Sequence, residues 1–490
     1  MEAFFAKVEE ILLPIVAKFN EYLSSYMLII LLIAIGLYFT IRTRFVQVRC
    51  FGEGIKNVFG NFSLSGGKQK GGLSSFQALA TAIAAQVGTG NIVGACGAIL
   101  IGGPGTIFWM WVIAFFGMAT IYGEAIAAQK TRVVDEDGTV HGGPVYYIRS
   151  VFKGKFGKFL AAFFAVAAIL ALGFMGSMVQ SNSIAESMNT AFNIPNWVVG
   201  IALVIIAGFI FIGGVQRLGS VTEKMVPFMA ILYIIGGIIV LIVRGEYILD
   251  AFAMIFKYAF NSNAILGGSI GGAIYLAATQ GAKRGLFSNE AGMGSTPHAH
   301  AQANVKDPHE QGVSAMIGVF IDTFVVLTFT ALVVISTLFT GDGALNPANY
   351  ADGQFLSGAA EAAGLAKTNL AQVAFGNAFG NMNIGSIFVA ICLFFFAFST
   401  ILSWNLFGRI NAVYLFGKKS NMIYSIIAVV FVFMGCMLSN DLVWELTDMF
   451  NYLMVLPNVL ALFFFGKAVS ESAKKKKAEK AKITEDAQAE

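Results

Sequence analysis

Charge is scarce in this sequence. Only 12% of its 490 residues are Asp, Glu, Lys or Arg, and 57% are hydrophobic, where a soluble domain carries about 25% charged residues. The shortage excludes a single water-soluble core, which could not hide so much apolar surface. Cysteine is scarce too. Cys50, Cys96, Cys392 and Cys436 are the four, three of them in apolar runs and none with CxxC spacing. Neither a disulfide framework nor a zinc site is indicated. No Gly-x4-Gly-Lys-Ser/Thr occurs, which argues against ATP-driven transport by this chain alone, and no HExxH or nucleophile–base pattern points to an enzyme. No basic patch with interleaved aromatics suggests nucleic acid. The first residues include Glu2, Glu9, Glu10 and Glu21 in place of the basic start of a signal peptide. Residues 1–20 therefore read as an amphipathic lead-in to a first span.

What is present is apolar length. Runs near 27–40, 159–180, 197–214, 225–243, 313–340, 384–406 and 422–438 are almost free of charge. About 20 apolar residues cross a bilayer as a helix. In lipid the backbone must satisfy itself, so spans are helices or closed barrels. These runs are too long, and alternate too little, for barrel strands. The reading is an all-α polytopic membrane protein with about eleven spans, near 22–41, 74–101, 106–130, 158–190, 196–213, 222–243, 266–286, 311–339, 383–408, 421–438 and 443–466. With the N-terminus outside, only Lys7, Lys18, Arg244, Lys257 and Lys367 of the 32 Lys and Arg fall outside. The positive-inside rule then predicts the N-terminus outside and the C-terminus in the cytoplasm of a plasma (inner) membrane.

Eleven divides as one plus two sets of five. The expected organisation is residues 1–70 (lead-in, first span and basic loop), 71–245 (first set), 246–467 (second set) and 468–490 (Lys-rich cytoplasmic tail). Five is odd, so the sets have opposite topology, an arrangement common in secondary carriers. The first span of each set is interrupted, by Gln86-Val87-Gly88-Thr89-Gly90-Asn91 and by Gln280-Gly281-Ala282-Lys283-Arg284-Gly285. Paired glycine-rich breaks point to a binding site.

Gly88 and Gly90 each weaken a helix by about 1 kcal/mol relative to Ala. Unwinding there frees N–H groups, which suit a carboxylate. It also frees carbonyls, which with Thr89 and Asn91 are hard oxygen ligands for an alkali cation. The competing reading is close helix packing through small residues. In 397–404 three hydroxyls and an indole sit in an apolar helix. Thr400 could offer oxygen to a cation and Trp404 could wall a pocket, or the hydroxyls simply bond the preceding turn. Gln180 and Asn182 interrupt another span and serve as interhelical glue or as substrate ligands. Glu124, Glu186 and Asp322 are intramembrane carboxylates that either relay protons or pair with Lys283 or Arg284. His298 and His300 have no acidic or thiol partner at metal spacing and read as loop histidines.

The run Gly102-Gly103-Pro104-Gly105-Thr106-Ile107-Phe108-Trp109-Met110-Trp111, continuing to Gly117, resembles the signature of the sodium:alanine symporter family (alanine or glycine:cation symporters). Further marks are Gly88-Thr89-Gly90-Asn91, His141-Gly142-Gly143-Pro144, the stretch Gly285-Leu286-Phe287-Ser288-Asn289-Glu290-Ala291-Gly292, and Ser403-Trp404. The resemblance runs from about Tyr22 to Lys467. It implies a leucine-transporter-type fold with one extra N-terminal helix. It also implies secondary active symport of Na⁺ with a small neutral amino acid: alanine, glycine, or else glutamine or serine. Proton coupling in the same fold is the alternative. No resident cofactor is implied, Na⁺ being the coupling ion. The resemblance places the substrate carboxylate at Gly88–Gly90, with Thr89 and Asn91 beside it. Gln180, Thr279 and Gln280 would line the amine side, and Thr400 and Trp404 the side-chain pocket. Na⁺ would fall to the carbonyls of Ala84, Val87 and Ala397 with the Thr400 hydroxyl. Ile401 departs from the broader fold, where a second hydroxyl is common.

Overall fold

The computed structural model describes residues 2–60, 73–136, 138–351 and 354–474. Most of the Lys-rich tail expected at 468–490 lies outside them. The lead-in is itself helical. Glu2–Tyr22 runs through a π-helical stretch, Leu23–Leu28, into Ile29–Arg42. It is fastened to the last long helix, Asn440–Leu462, where Asn20 Nδ2 donates to Glu445 and Ser439 donates to Glu9.

The rest of the described residues are mostly helical, with a two-stranded antiparallel hairpin, Val133–Val134 with Val140–His141. Among the described residues seven helices are long and apolar enough to cross a membrane: Thr106–Thr131, Gly154–Phe192, Gly214–Val243, Pro308–Leu338, Met382–Phe416, Ser420–Met437 and Asn440–Lys474. An eighth is the bent pair Ser75–Gln86 and Gly90–Gly102, which turns by 42° at its break. Helices also stand at the remaining expected spans, as Ile29–Arg42, Asn196–Ile212 and Ile270–Asn289. The first two are short. The third carries Lys283 and Arg284, so apolar length alone does not mark it.

Local chemistry sets the helix ends that matter for the site. Ser74 caps Ser75–Gln86 with a capping box: its hydroxyl accepts from Gln77 N, and the Gln77 side chain accepts from Ser74 N. Two orphan N–H groups are satisfied reciprocally. Ser74→Ala is expected to cost about 1 kcal/mol of stability. A lowered midpoint of thermal unfolding in the purified protein would register it; an unchanged midpoint would mean the cap is redundant. Pro297 and Pro308 occupy the first turn of their helices, where a missing N–H costs nothing. Gly105 lies so close to the Tyr258 backbone that a Cβ would fall 2.0 Å from its carbonyl carbon. That contact seats the turn of the Gly102–Thr106 motif.

The second interruption is not where the glycines at 281 and 285 suggest. Ile270–Asn289 is continuous through both, and the chain leaves the helix only at Glu290, in the left-handed region at φ 58°. Gly292 (φ 88°) and Gly294 (φ 85°) carry the turn, which their missing Cβ permits. Helix resumes at Pro297–Gln302. Gly281 and Gly285 instead let the helix lie against Thr106–Thr131, where a Cβ on Gly281 would stand 2.6 Å from Trp109 Cβ.

Candidate binding site at the two helix breaks

In an unbroken helix the Gly88 N–H would bond the Ala84 carbonyl four residues back. Here Val87 turns out of helical geometry (φ −79°, ψ 83°). Gly88 N donates instead to Gln86 O at 2.9 Å and to Asn91 Oδ1 at 3.1 Å. Ala84 O is thereby released, and the Thr400 hydroxyl donates to it at 2.8 Å. Thr400 also bonds Phe396 O in its own helix. Thr89 N likewise leaves the ladder and donates to Gln180 Oε1 at 3.1 Å. The fit is tight: a Cβ on Gly88 would lie 2.4 Å from Thr400 Oγ1 and 3.2 Å from Gln180 Oε1. Gly88, Thr89, Gly90, Asn91, Gln180, Ala84, Val87, Ala397 and Thr400 are all buried. Ala397 lies three residues before Thr400, on the same side of its helix.

The second break closes on the first. Gln86 Nε2 donates to Asn289 O at 2.8 Å. Gly90 packs on Phe287 and Ser288, with a Cβ 3.0 Å from Ser288 Cα. Asp322, in the π-helical stretch Phe320–Leu327, joins both breaks. It accepts from Asn91 Nδ2 at 2.7 Å, from Ser288 Oγ at 2.9 Å and from Thr323 Oγ1 at 2.8 Å. Trp404 donates its indole N–H to Glu290 and meets Phe287 edge to face at 5.7 Å. Gly176 gives it room, since a Cβ there would strike the indole.

Several polar atoms at this junction are buried with no partner among the described residues: Thr89 Oγ1, Gln180 Nε2 and Ser403 Oγ. Buried polar groups are almost always paired, so these atoms stand open to a bound molecule. Gln180 deserves a distinction. Its Oε1 is taken by an N–H, so the atom it offers is a donor, which suits a carboxylate better than an ammonium.

Other residues flagged in the sequence are brought elsewhere. Thr279 and Gln280 lie within the unbroken part of Ile270–Asn289. Gln280 Cβ packs near Gly102, at the far end of the first broken helix, and Thr279 Oγ1 and Gln280 Oε1 are buried without a partner among the described residues. Arg284 forms a buried ion pair with Asp448 at 3.0 Å and lies over the Trp444 ring, not beside Glu124 or Asp322. Asn182 is interhelical glue, donating to Gly435 O and Leu438 O and accepting from Asn440. Glu186 receives Asn196 Nδ2 at 3.0 Å near a helix end. Glu124 clamps the second break by accepting from Gly292 N, Gly294 N and Asn458 Nδ2. His298 and His300 are not in a loop: both are buried in Pro297–Gln302, bonded to Asn411 and Gln311.

Sequence reasoning missed Phe287, Ser288 and Glu290 as site residues. The available signal was Glu290 itself, a carboxylate inside a glycine-rich membrane segment. On the face carrying the hairpin, a cavity of about 570 Å³ is lined by His141, Gln302, Leu406 and Arg409 among others. There the His141 ring, 2.9 Å from Asp135, holds the Asp135 carboxyl below the usual carboxylate range.

Compared with known proteins, the chain matches the family model described as "Sodium:alanine symporter family" over residues 9–489. It is 38% identical over 455 residues to the sodium/alanine symporter AgcS of Methanococcus maripaludis, with 92% of this chain and 95% of that one covered. It is 36% identical over 468 residues to the "Probable sodium/glutamine symporter GlnT" of Bacillus subtilis, covering 95% and 91%. Among solved structures, MhsT in complex with L-phenylalanine superposes with a TM-score of 0.58 at 14% identity, covering 84% of this chain and 97% of that one. That likeness identifies the architecture as the leucine-transporter-type fold.

Proposed function

This chain belongs to the sodium:alanine symporter family, a family of multi-pass membrane transporters and not of enzymes, and on that premise we propose that it couples Na⁺ influx to uptake of a small neutral amino acid. The observation that carries the reading is the exchange of partners at Val87–Thr89. Backbone groups leave the helix ladder, and a side chain from a distant helix takes each up. Ala84 O and Thr400 Oγ1, 2.8 Å apart, are two hard oxygens of the kind an alkali cation accepts. Val87 and Ala397 would add carbonyls from the same two helices. Na⁺ is cargo in this scheme.

The amino acid would sit between the breaks. Its carboxylate would meet the Gly88–Gly90 backbone and the unpartnered Gln180 Nε2. Trp404 and Phe287 would bound its side chain, which favours small substrates. Alanine is the first candidate, since it is what the M. maripaludis relative is named for; the B. subtilis relative is named for glutamine. Na⁺ and substrate would each stabilise the same arrangement of the broken helix, so each raises the other's affinity by an equal factor. The N-terminus would lie outside and the Lys-rich tail in the cytoplasm of the plasma membrane, with the hairpin cavity facing inward.

A second reading, proton coupling in the same fold, rests on Asp322, a buried carboxylate that joins both breaks through neutral donors. Uptake of radiolabelled alanine into proteoliposomes separates the two. Accumulation under an inward Na⁺ gradient that collapses when choline replaces Na⁺ is the expected result. Equal uptake with and without the Na⁺ gradient sinks the proposal. Uptake driven only by a pH gradient moves the coupling to protons.

A further inference from the structure

Far from the breaks, on the face that carries the basic loops, three side chains of different chemistry converge. Cys50 lies between the helices Val46–Arg49 and Phe51–Gly60, and Glu53 is one turn into the second of these. His309 is the second residue of the helix beginning at Pro308. A thiol sulfur, a carboxylate oxygen and an imidazole nitrogen, one from each, all lie within 4.8 Å of one another. His309 Nε2 stands 3.5 Å from Glu53 Oε1. We propose that these residues form a site for a zinc-type divalent transition-metal ion, holding the helix Phe51–Gly60 to the membrane helix Pro308–Leu338.

The orientation of the histidine supports the assignment. Its Nδ1 is bonded at 2.7 Å to the hydroxyl of Tyr122, on Thr106–Thr131. That bond leaves Nε2 facing Glu53, the outer-shell arrangement that metal-bound histidines use. The frame around the three ligands is stiff. A Cβ on Gly54 would fall 2.6 Å from Ile317 Cγ1, and one on Gly312 would fall 2.8 Å from the Tyr122 ring. Gly54 thereby lets its helix approach the Val313 carbonyl, and Gly312 makes room for the Tyr122 ring. Asp307 Oδ1 accepts from His309 N at 2.9 Å and fixes the first turn. Cys50 and His309 are buried and Glu53 is half-buried, which leaves an entry path on the carboxylate side.

Zinc bonds of about 2.0–2.3 Å imply ligand separations of about 3.3–3.8 Å. The His309–Glu53 separation of 3.5 Å already falls in that range, and all three ligand atoms lie within 4.8 Å of one another. Three protein ligands leave a fourth position for water. A thiolate beside an imidazole selects zinc-like ions over calcium or magnesium, which take oxygen alone. A Tyr122–His309–Glu53 hydrogen-bond chain with no metal is the competing arrangement, and a cobalt titration separates the two. The expectation from cysteine spacing, that no zinc site exists, looked only for neighbouring ligands; these come from positions 50, 53 and 309.

The test uses the full chain in nanodiscs, stripped with a chelator and titrated with Co²⁺ and then Zn²⁺. The wild-type protein should bind one ion per chain and show a thiolate-to-cobalt charge-transfer band in the near ultraviolet. The band should vanish in Cys50→Ser, and Zn²⁺ should protect Cys50 from maleimide. Tyr122→Phe should weaken binding by about tenfold or more while the band remains. A monodisperse wild-type sample without the band overturns the proposal, as does a band that survives Cys50→Ser. The wild-type measurement stands alone should a variant fail to fold.

Discussion

Replacing Gly88 with alanine is expected to reduce Na⁺-driven uptake by about a hundredfold, the scale on which about 1 Å of misplacement costs a preorganised site. The added Cβ would lie 2.4 Å from Thr400 Oγ1 and 3.2 Å from Gln180 Oε1. Neither can step aside cheaply. Thr400 is tied to Ala84 O and Phe396 O, and Gln180 holds the Thr89 N–H. Relief would have to come from Val87–Thr89 itself, and would carry the released carbonyl of Ala84 away from Thr400. The change adds one methyl group and no charge, so insertion and expression should persist. Gly245→Ala is the control: nothing lies within 4 Å of a Cβ there. Uptake rates of the two variants in proteoliposomes, normalised to inserted protein, check the prediction. A Gly88→Ala transporter working near the wild-type rate would mean the break is a packing feature and the cation lies elsewhere.

The two breaks differed in how plainly the sequence announced them, and the difference is physical. At Gly88-Thr89-Gly90-Asn91 the polar residues sit at the break, inside an apolar run, so composition and geometry coincide. In the second broken helix they do not. Gly281 and Gly285 are there for contact with Thr106–Thr131, and small residues at a helix interface look identical in sequence to residues that end a helix. The glycines that do carry positive φ, Gly292 and Gly294, come later. That shift of about ten residues leaves Thr279 and Gln280 inside an unbroken helix and sets Phe287, Ser288 and Glu290 against the first break and Trp404. The helical class and the position of each apolar run were legible, because run length depends on neighbours along the chain. Pairings were not. Arg284 with Asp448, Asn91 with Asp322 and Cys50 near His309 depend on helices far apart in the sequence. The count of eleven spans also exceeds what apolar length alone supports: Ile29–Arg42 and Asn196–Ile212 are short, and the helix bearing Arg284 carries an ion pair and a Trp444 contact.

Glu124 carries the largest expected effect on stability. Its carboxylate accepts from Gly292 N and Gly294 N at 3.1 Å each and from Asn458 Nδ2 at 2.7 Å. Asn458 in turn donates to Gly292 O at 2.9 Å and accepts from Tyr147. The two glycines are the hinge of the second break, and with positive φ they cannot turn their N–H groups back into a helix ladder. Glu124→Ala therefore strands three buried donors at once. At about 1–3 kcal/mol for each unsatisfied group, with some relief from repacking, the loss should be about 3–5 kcal/mol. Glu124→Gln keeps one acceptor but points an NH₂ at N–H groups that are already donors, so its cost should fall to about 1–3 kcal/mol. The order of unfolding midpoints should be wild type, then Gln, then Ala. The same series decides whether Glu124 carries a coupling proton. In a structural clamp the Gln variant is weakened, yet keeps its dependence on Na⁺ and responds to pH as the wild type does. In a proton site the Gln variant would be stable and would lose the pH response. A stable Glu124→Ala protein would remove the clamp altogether and leave the turn at Gly292–Gly294 held by the Asn458 contact alone.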